Sequence, residues 1–342
     1  MIAERETLRV AVMGSGSWGT VYAMVMADAG CDVTIWSRSA EQATSINEEH
    51  RNLAYHPTIE LPATLKASTD AAVALTGASI VVLAIPAQAL RENLATWVPF
   101  IEPDAVLVSL MKGIELGTMM RMSEVIADVT GIGPDRIAVA SGPNLAHEIA
   151  LRQPAATTIA CADEEVAQRL QEACTTEYFR PYWTTDVIGT EIGGSVKNVI
   201  AVANGMAVGL GLGENSQSSL ITRGLAEMAR LGVALGADPL TFQGLAGVGD
   251  LVATCQSPLS RNRTFGENLG RGLSVDETIA ITKQTCEAYK SCRPILELAK
   301  SHGVEMPITE QVVEVLHNGR PPSQLARAFM ARDTKAEAKL DQ

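Results

Sequence analysis

The 342-residue sequence is poor in aromatic side chains, which make up 4% of it. Its cores must be built from Ala, Val, Leu, Ile and Met. Positive charge is also scarce: 27 Lys and Arg stand against 39 Asp and Glu, a formal net charge of −12. Such a chain is not expected to bind nucleic acid or an anionic membrane surface. An anionic ligand would need Lys or Arg gathered locally against that background. None of the six cysteines (Cys31, Cys161, Cys174, Cys255, Cys286 and Cys292) forms a C-x-x-C pair. Buried free thiols in a reducing cytosol are the expectation. The five histidines (His50, His56, His147, His302 and His317) show no metal-ligand spacing, so no metal is expected. The longest weakly polar run, 199–213, is too short for a membrane span and is broken by Asn204. Residues 1–7 are mostly polar or charged and lack the apolar core of a signal peptide. These absences predict a cytoplasmic protein without stable membrane insertion.

Apolar residues make up 46% of the chain, ample for packed cores, and the length suits about two domains. The 28 glycines spread over several loops and form no repeat. In the first half, short apolar runs alternate with helical patterns. The runs are 8–13, 33–36, 79–85, 105–110 and 137–140; the clearest helices are 21–29 and 39–49. Near-continuous apolar strands separated by helices predict a parallel sheet buried on both faces. From about Thr190 the strand signals stop. Ala/Gly/Leu-rich helical stretches follow at 196–210, 217–235, 275–282, 291–301 and 309–316. The change in texture places a domain boundary near 185–195, giving domains 1–190 and 191–342. The Lys/Glu-rich end, 332–342, is expected to fray.

The first strand ends in Gly14-Ser15-Gly16-Ser17-Trp18-Gly19. A lone G-x-G-x-x-G is weak, since glycines are common in turns. This one follows a strand, opens a helix and lies in a unit of βαβ length. Gly14 would make the tight turn, Gly16 admit a pyrophosphate, and Gly19 let helix and strand pack closely. The helix N-terminus would offer its N–H groups to the phosphates. The fold class is therefore α/β: a Rossmann-like parallel-sheet domain followed by an all-α domain.

The end of the second strand reads Ile35-Trp36-Ser37-Arg38, without the carboxylate that receives a ribose 2′-hydroxyl in NAD-selective sites. Arg38 is placed to pair with a 2′-phosphate, or else is a solvated charge. Its presence favours NADPH, with NADH possible. Lys112 follows the strand at 106–110, and Ser141, Gly142 and Asn144 follow the one at 137–140. Strand carboxyl ends are where open α/β sheets bind ligands, although a strand-end lysine can also be merely solvated.

Lys197 stands out in Gly193-Gly194-Ser195-Val196-Lys197-Asn198-Val199-Ile200, one cation in an apolar helical segment. Burial lowers a lysine's pKa from about 10.4 and suits it to proton transfer. The alternative is an ammonium that reaches solvent past the helix edge. Gly205 and Gly209 indicate close helix packing. Gly244-Leu245-Ala246-Gly247-Val248-Gly249-Asp250 ends a glycine-rich loop in a carboxylate. Ser260-Arg261-Asn262-Arg263 offers clustered donors, where Arg261 or Arg263 suits a phosphate.

Taken in order, Gly14–Thr20, Met111-Lys112-Gly113-Ile114-Glu115, Ser141-Gly142-Pro143-Asn144-Leu145-Ala146, Gly194–Ile200, Ile221-Thr222-Arg223-Gly224, Gly244–Cys255 and Ser260-Arg261-Asn262-Arg263 closely resemble the bacterial NAD(P)-dependent glycerol-3-phosphate dehydrogenases. The resemblance runs from about residue 8 to 330. It implies reduction of dihydroxyacetone phosphate to sn-glycerol 3-phosphate, a precursor of glycerophospholipids, and a homodimer. It implies Lys197 as proton donor and acceptor. It assigns Lys112, Gly142, Asn144, Lys197, Asp250, Ser260, Arg261 and Asn262 to the substrate. It assigns Ser17, Trp18, Arg38, Lys112, Ala146, Arg261 and Glu287 to the cofactor, beside the loop glycines. The stretch Thr285-Cys286-Glu287-Ala288 departs from the family, which has an apolar residue and then Glu-Gly. Two other readings remain at this stage, a β-hydroxyacid dehydrogenase and a non-catalytic dinucleotide sensor. The sensor would be expected to lack an intact Lys197.

Overall fold

The computed structural model describes residues 7–282 and 286–324. The expected frayed tail, most of 1–7, and Thr285 lie outside the described residues. The chain divides into two compact units: residues up to Glu115 with Met120–Glu191, and Leu116–Met119 with the chain from Ile192 onward.

The first unit holds an eight-stranded sheet ordered β3-β2-β1-β4-β5-β6-β7-β8. Its strands are β1 (Arg9–Met13), β2 (Asp32–Trp36), β3 (Lys66–Ser68), β4 (Ile80–Leu83), β5 (Val106–Ser109), β6 (Ile137–Ser141), β7 (Ala155–Cys161) and β8 (Phe179–Thr184). Its helices are α1 (Ser17–Asp28), α2 (Ala40–Glu49), α3 (Ala71–Leu75), α4 (Leu90–Trp97), α5 (Met122–Thr130), α6 (Ala146–Ala150) and α7 (Glu164–Ala173). The apolar strands are buried on both faces, as the sequence predicts. Val10 and Val12 enter one core with Val33, Ile35, Val82 and Val108. Ala11 and Met13 enter the other with Val81, Leu83 and Leu107. Alternation along each strand does this without a polar face.

The sheet departs from the all-parallel expectation at one seam. β1 to β6 are parallel, but β7 pairs antiparallel with β6, and β8 runs parallel to β7. The β6–β7 connection carries only the five-residue α6. So short a helix cannot return the chain across the sheet as a parallel crossover requires. β7 and β8 were not expected from sequence. β7 is built of Ala and Thr, and β8 is an edge strand containing Pro181 and alternately exposed.

The second unit is helical. Its helices are α8 (Val187–Gly209), which begins in the first unit, α9 (Glu214–Ala234), α10 (Asp250–Gln256), α11 (Arg261–Gly270), α12 (Val275–Thr282), α13 (Glu287–Ser301) and α14 (Pro307–Asn318). α8 starts nine residues before its expected position. Gly189, Gly193 and Gly194 look like breakers in sequence, yet all are helical. A Cβ on Gly193 would collide with the Ala246 carbonyl oxygen, so that glycine serves packing.

The Gly205/Gly209 pair has a reciprocal partner on α11. A Cβ on Gly205 would strike the carbonyl of Arg263, and one on Gly209 that of Glu267. Conversely, Gly266 faces the carbonyl of Val202 and Gly270 that of Met206. The two helices therefore cross backbone against backbone. Gly266 and Gly270 cost α11 intrinsic propensity, but only residues without Cβ permit this approach.

Candidate functional site

β1 delivers the glycine loop to the start of α1. Gly14 has φ +135°, and a Cβ there would collide with the Ala84 carbonyl oxygen at the end of β4. A Cβ on Gly19 would strike the Gly14 carbonyl, so the helix closes tightly on the loop. At Gly16 a Cβ would meet nothing within 4 Å. Its alpha carbon thus faces open space, which a side chain would fill and a pyrophosphate can use. First-turn N–H groups have no acceptor within their own helix. Among them, Ser17 and Trp18 are the first two residues of α1. These residues fit a dinucleotide. Trp18 turns its ring toward Tyr22 and Phe179, with centroids 5.5 and 6.4 Å away. Its backbone is what the loop offers a ligand.

The end of β2 is uncharged and inward-facing. Ser15 donates to Ser37 Oγ at 2.8 Å, and Ser37 donates to Gln42 Oε1 at 3.1 Å. Ser37 is fully buried, and as a serine it offers no carboxylate to a ribose. Arg38, the next residue, is exposed.

Lys112 is half-buried and its Nζ donates to the Gly142 carbonyl at 3.4 Å. Gly142 has φ +150° and lies against Thr157. Asn144 is fixed by donation to Thr157 Oγ1 at 2.9 Å, and its Oδ1 is buried without a hydrogen-bond partner. Ala146 opens α6. Lys112, Gly142 and Asn144 are thus gathered at the carboxyl ends of β5 and β6.

Within the helical unit Lys197 is buried, not solvated past the helix edge. Its ammonium forms an ion pair with Asp250 and donates to Thr254 Oγ1 at 2.7 Å. Asp250 and Thr254 lie one turn apart on α10 and so share a face. Asp250 was expected at the end of a loop and instead opens this helix, just after the wide turn Leu245–Gly249. Thr254 was missed from sequence. The only signal was its i+4 spacing from Asp250.

The next residue along α8 carries a second cluster. Asn262 donates to Asn198 Oδ1 at 2.9 Å, and its own Oδ1 accepts from Cys286 Sγ at 3.1 Å and the Ala288 amide at 3.3 Å. The Asn198 carbonyl oxygen is engaged, so its NH2 is the group left to donate elsewhere. The donor cluster at 260–263 forms the start of α11, with Ser260 capping it by accepting from Arg263 N at 3.2 Å. Arg263 pairs with Glu267 at 3.1 Å, whereas Arg261 is exposed. Burial raises the Glu287 carboxyl, opposed by the positive charges of Arg261 and Lys290. The backbone at Ala288 is helical and ordinary, so alanine in place of glycine strains nothing there.

All six cysteines are free and buried. Burial pushes Cys255, Cys286 and Cys292 up to about 12, which keeps them as thiols. Among the described residues, no group of His, Cys, Asp and Glu could hold a metal ion, and no helix is long and apolar enough to cross a membrane.

Comparison with known proteins follows the same two-part division. The family described as NAD-dependent glycerol-3-phosphate dehydrogenase N-terminus matches residues 9–167, and that described as its C-terminus matches 186–327. The glycerol-3-phosphate dehydrogenase (NAD(P)+) of Streptomyces avermitilis is 62% identical over 330 residues, covering 96% of this chain and 98% of that one. The Thermobifida fusca protein of the same name is 60% identical over the same shares. The crystal structure of glycerol-3-phosphate dehydrogenase from Coxiella burnetii superposes with a TM-score of 0.91 at 37% identity, covering 95% of this chain and 99% of that one.

Proposed function

Since the chain belongs to the NAD-dependent glycerol-3-phosphate dehydrogenase family, we propose that it reversibly reduces dihydroxyacetone phosphate to sn-glycerol 3-phosphate, supplying glycerophospholipid synthesis. Residues 1–190 serve as the dinucleotide-binding domain and 191–342 as the helical substrate-binding domain. The bound nicotinamide supplies the hydride that reaches C2.

The observation that carries this reading is Lys197, buried and held between Asp250 and Thr254. Lys197 donates a proton to the C2 oxygen as charge develops on it, and takes one back in the reverse direction. Asp250 orients that ammonium. The NH2 of Asn198, whose oxygen accepts from Asn262, and the ammonium of Lys112 stabilise the same oxygen. The substrate phosphate carries roughly −1.5 to −2 charges. Arg261 is its main cation, with Asn262, Ser260, Gly142 and Asn144 completing recognition. Gly14, Gly16, Ser17, Trp18, Gly19, Arg38, Lys112, Ala146, Arg261 and Glu287 serve the cofactor.

NADPH is the favoured donor and NADH a possible one. The end of β2 supports this, since it carries a buried serine in place of a carboxylate and is followed by the exposed Arg38. The protein works in the cytoplasm on a small-molecule substrate, as a homodimer, and binds no nucleic acid. The test is oxidation of NADPH with dihydroxyacetone phosphate, set against 2-keto acids, with 3-hydroxy acids assayed in the reverse direction with NADP+. Turnover of the acids alone would move the chain to another dehydrogenase class. Binding of NADPH with no turnover of any substrate would make it a sensor.

A further inference from the structure

The segment between α2 and β3 is mostly exposed, yet three of its residues at 51–60 turn inward: Asn52, His56 and Ile59. Asn52 and His56 are 0% and 3% exposed. Both polar side chains end on the glycine loop. Asn52 Nδ2 donates to the Ser15 carbonyl at 2.9 Å and to Thr20 Oγ1 at 2.8 Å. His56 Nε2 lies 3.1 Å from the Ser17 carbonyl and 3.1 Å from Ser17 Oγ. The backbone of Asn52 also accepts from the His56 amide at 2.8 Å, which joins the two grips.

A trans peptide is planar, with its C=O and the following N–H pointing in opposite directions. Holding the Ser15 carbonyl from one side therefore aims the Gly16 N–H to the other. Holding the Ser17 carbonyl does the same for the Trp18 N–H. Building on the assignment of this loop to the cofactor, we infer that Asn52 and His56 are positioning residues. They preset the Gly16 and Trp18 amides toward the dinucleotide pyrophosphate.

The hydrogen bonding of His56 extends the argument to Ser17. A carbonyl oxygen can only accept, so Nε2 carries the proton. Ser17 Oγ then accepts from the same N–H and keeps its own hydrogen for a phosphate oxygen. His56 Nδ1 is buried with no hydrogen-bond partner. Burial pushes the imidazole below its usual range, as does His147, whose ring stacks on it at 6.4 Å; the Ser17 bond opposes both. A neutral ring with a single donor is the form that serves the loop. The rest of the scaffold (Ser15, Ser37, Gln42, Asn52 and Thr20) is uncharged, so the loop is shaped without placing a carboxylate near the phosphates.

The test measures ligand affinity, with no turnover needed. The full chain, His56→Phe, His56→Gln and Asn52→Ala are titrated with NADPH and with adenosine 2′-monophosphate, which lacks the pyrophosphate. A glutamine amide can place its nitrogen where Nε2 sits, while phenylalanine keeps the shape and loses the donor. His56→Phe and Asn52→Ala are expected to weaken NADPH about tenfold, the equivalent of one good hydrogen bond. His56→Gln should recover to within about threefold of wild type, and adenosine 2′-monophosphate should change by less than about twofold throughout. If Asn52→Ala fails to fold in a thermal melt, the His56 pair decides the matter. Equal weakening of both ligands, or a glutamine variant as weak as the phenylalanine one, would overturn the positioning role. Failure of the wild-type chain to bind either NADPH or NADH would instead overturn the reading of the loop itself.

Discussion

Lys197 and Asp250 neutralise one another inside the helical unit, their side chains 8% and 1% exposed. Taking two charges out of water costs several kcal/mol per ion unless geometry and further hydrogen bonds offset it. Thr254 supplies one such bond. The pair is therefore a poor device for stability and a good one for fixing an ammonium in place.

Lys197→Ala should abolish turnover while leaving the NADPH dissociation constant within about twofold of wild type. It also leaves Asp250 buried without its cation, at a cost of about 3–5 kcal/mol. Steady-state kinetics, a fluorescence titration and a thermal melt together check this. Turnover near wild type would remove Lys197 from the mechanism.

Thr254→Val keeps the shape and deletes one acceptor of the ammonium. The expected outcome is a fall in kcat of about fivefold with little change in KM, because one hydrogen bond is worth about 1 kcal/mol. A change confined to KM would place Thr254 in substrate binding alone.

Arg38→Ala should raise KM for NADPH about tenfold or more and leave KM for NADH nearly unchanged, since only NADPH carries the 2′-phosphate. Comparing the two constants in one preparation is the measurement. An unchanged ratio means that Arg38 is only a solvated charge.

Glu227 on α9 accepts from the Ile308 and Thr309 amides at the start of α14, the latter at 3.2 Å. Burial pushes its carboxyl from 4.5 up to about 7, against those hydrogen bonds and Arg230. A raised folded-state value means that the folded protein keeps a proton the unfolded chain gives up. That contribution is full below the unfolded value and is lost as pH rises to about 7. Melting of Glu227→Gln against wild type should show the variant gaining ground between about pH 5 and about pH 8. A constant difference across that range would contradict the raised value.

The sequence revealed much of the fold, and the reasons are local. β1, β4 and β5 are unbroken apolar runs, and the glycine loop sits between strand and helix where its spacing has meaning. What escaped notice depends on tertiary context. β7 has no apolar pattern of its own and is a strand because β6 and β8 flank it. α11 contains Asn, Thr and two glycines, so it reads as a loop until α8 is seen against it. Lys197 could be singled out as an odd cation in an apolar stretch, but not its commitment to Asp250. That pairing spans 53 residues. Asn52 and His56 lie in a segment whose composition is that of any surface loop. Their role depends on which way two carbonyls point, and nothing in residue type reports that.

Gly266→Ala is expected to lower the melting temperature by several degrees, in line with about 1–3 kcal/mol for overpacking. The Val202 carbonyl that its methyl would meet belongs to the helix carrying Lys197 and Asn198. A fall in kcat should accompany it. Wild-type stability would show that the crossing can relax.

The same crossing limits how this enzyme can change. Between a hydrogen and a methyl group there is no smaller step, so the α8–α11 spacing cannot be adjusted by degrees. Gly205, Gly209, Gly266 and Gly270 set that spacing together. A lineage that replaced any one of them would shift the Asn198–Asn262 contact in a single jump, with no neutral path through intermediate side chains. Side chains carried on the two helices can change while the distance between the helices stays fixed.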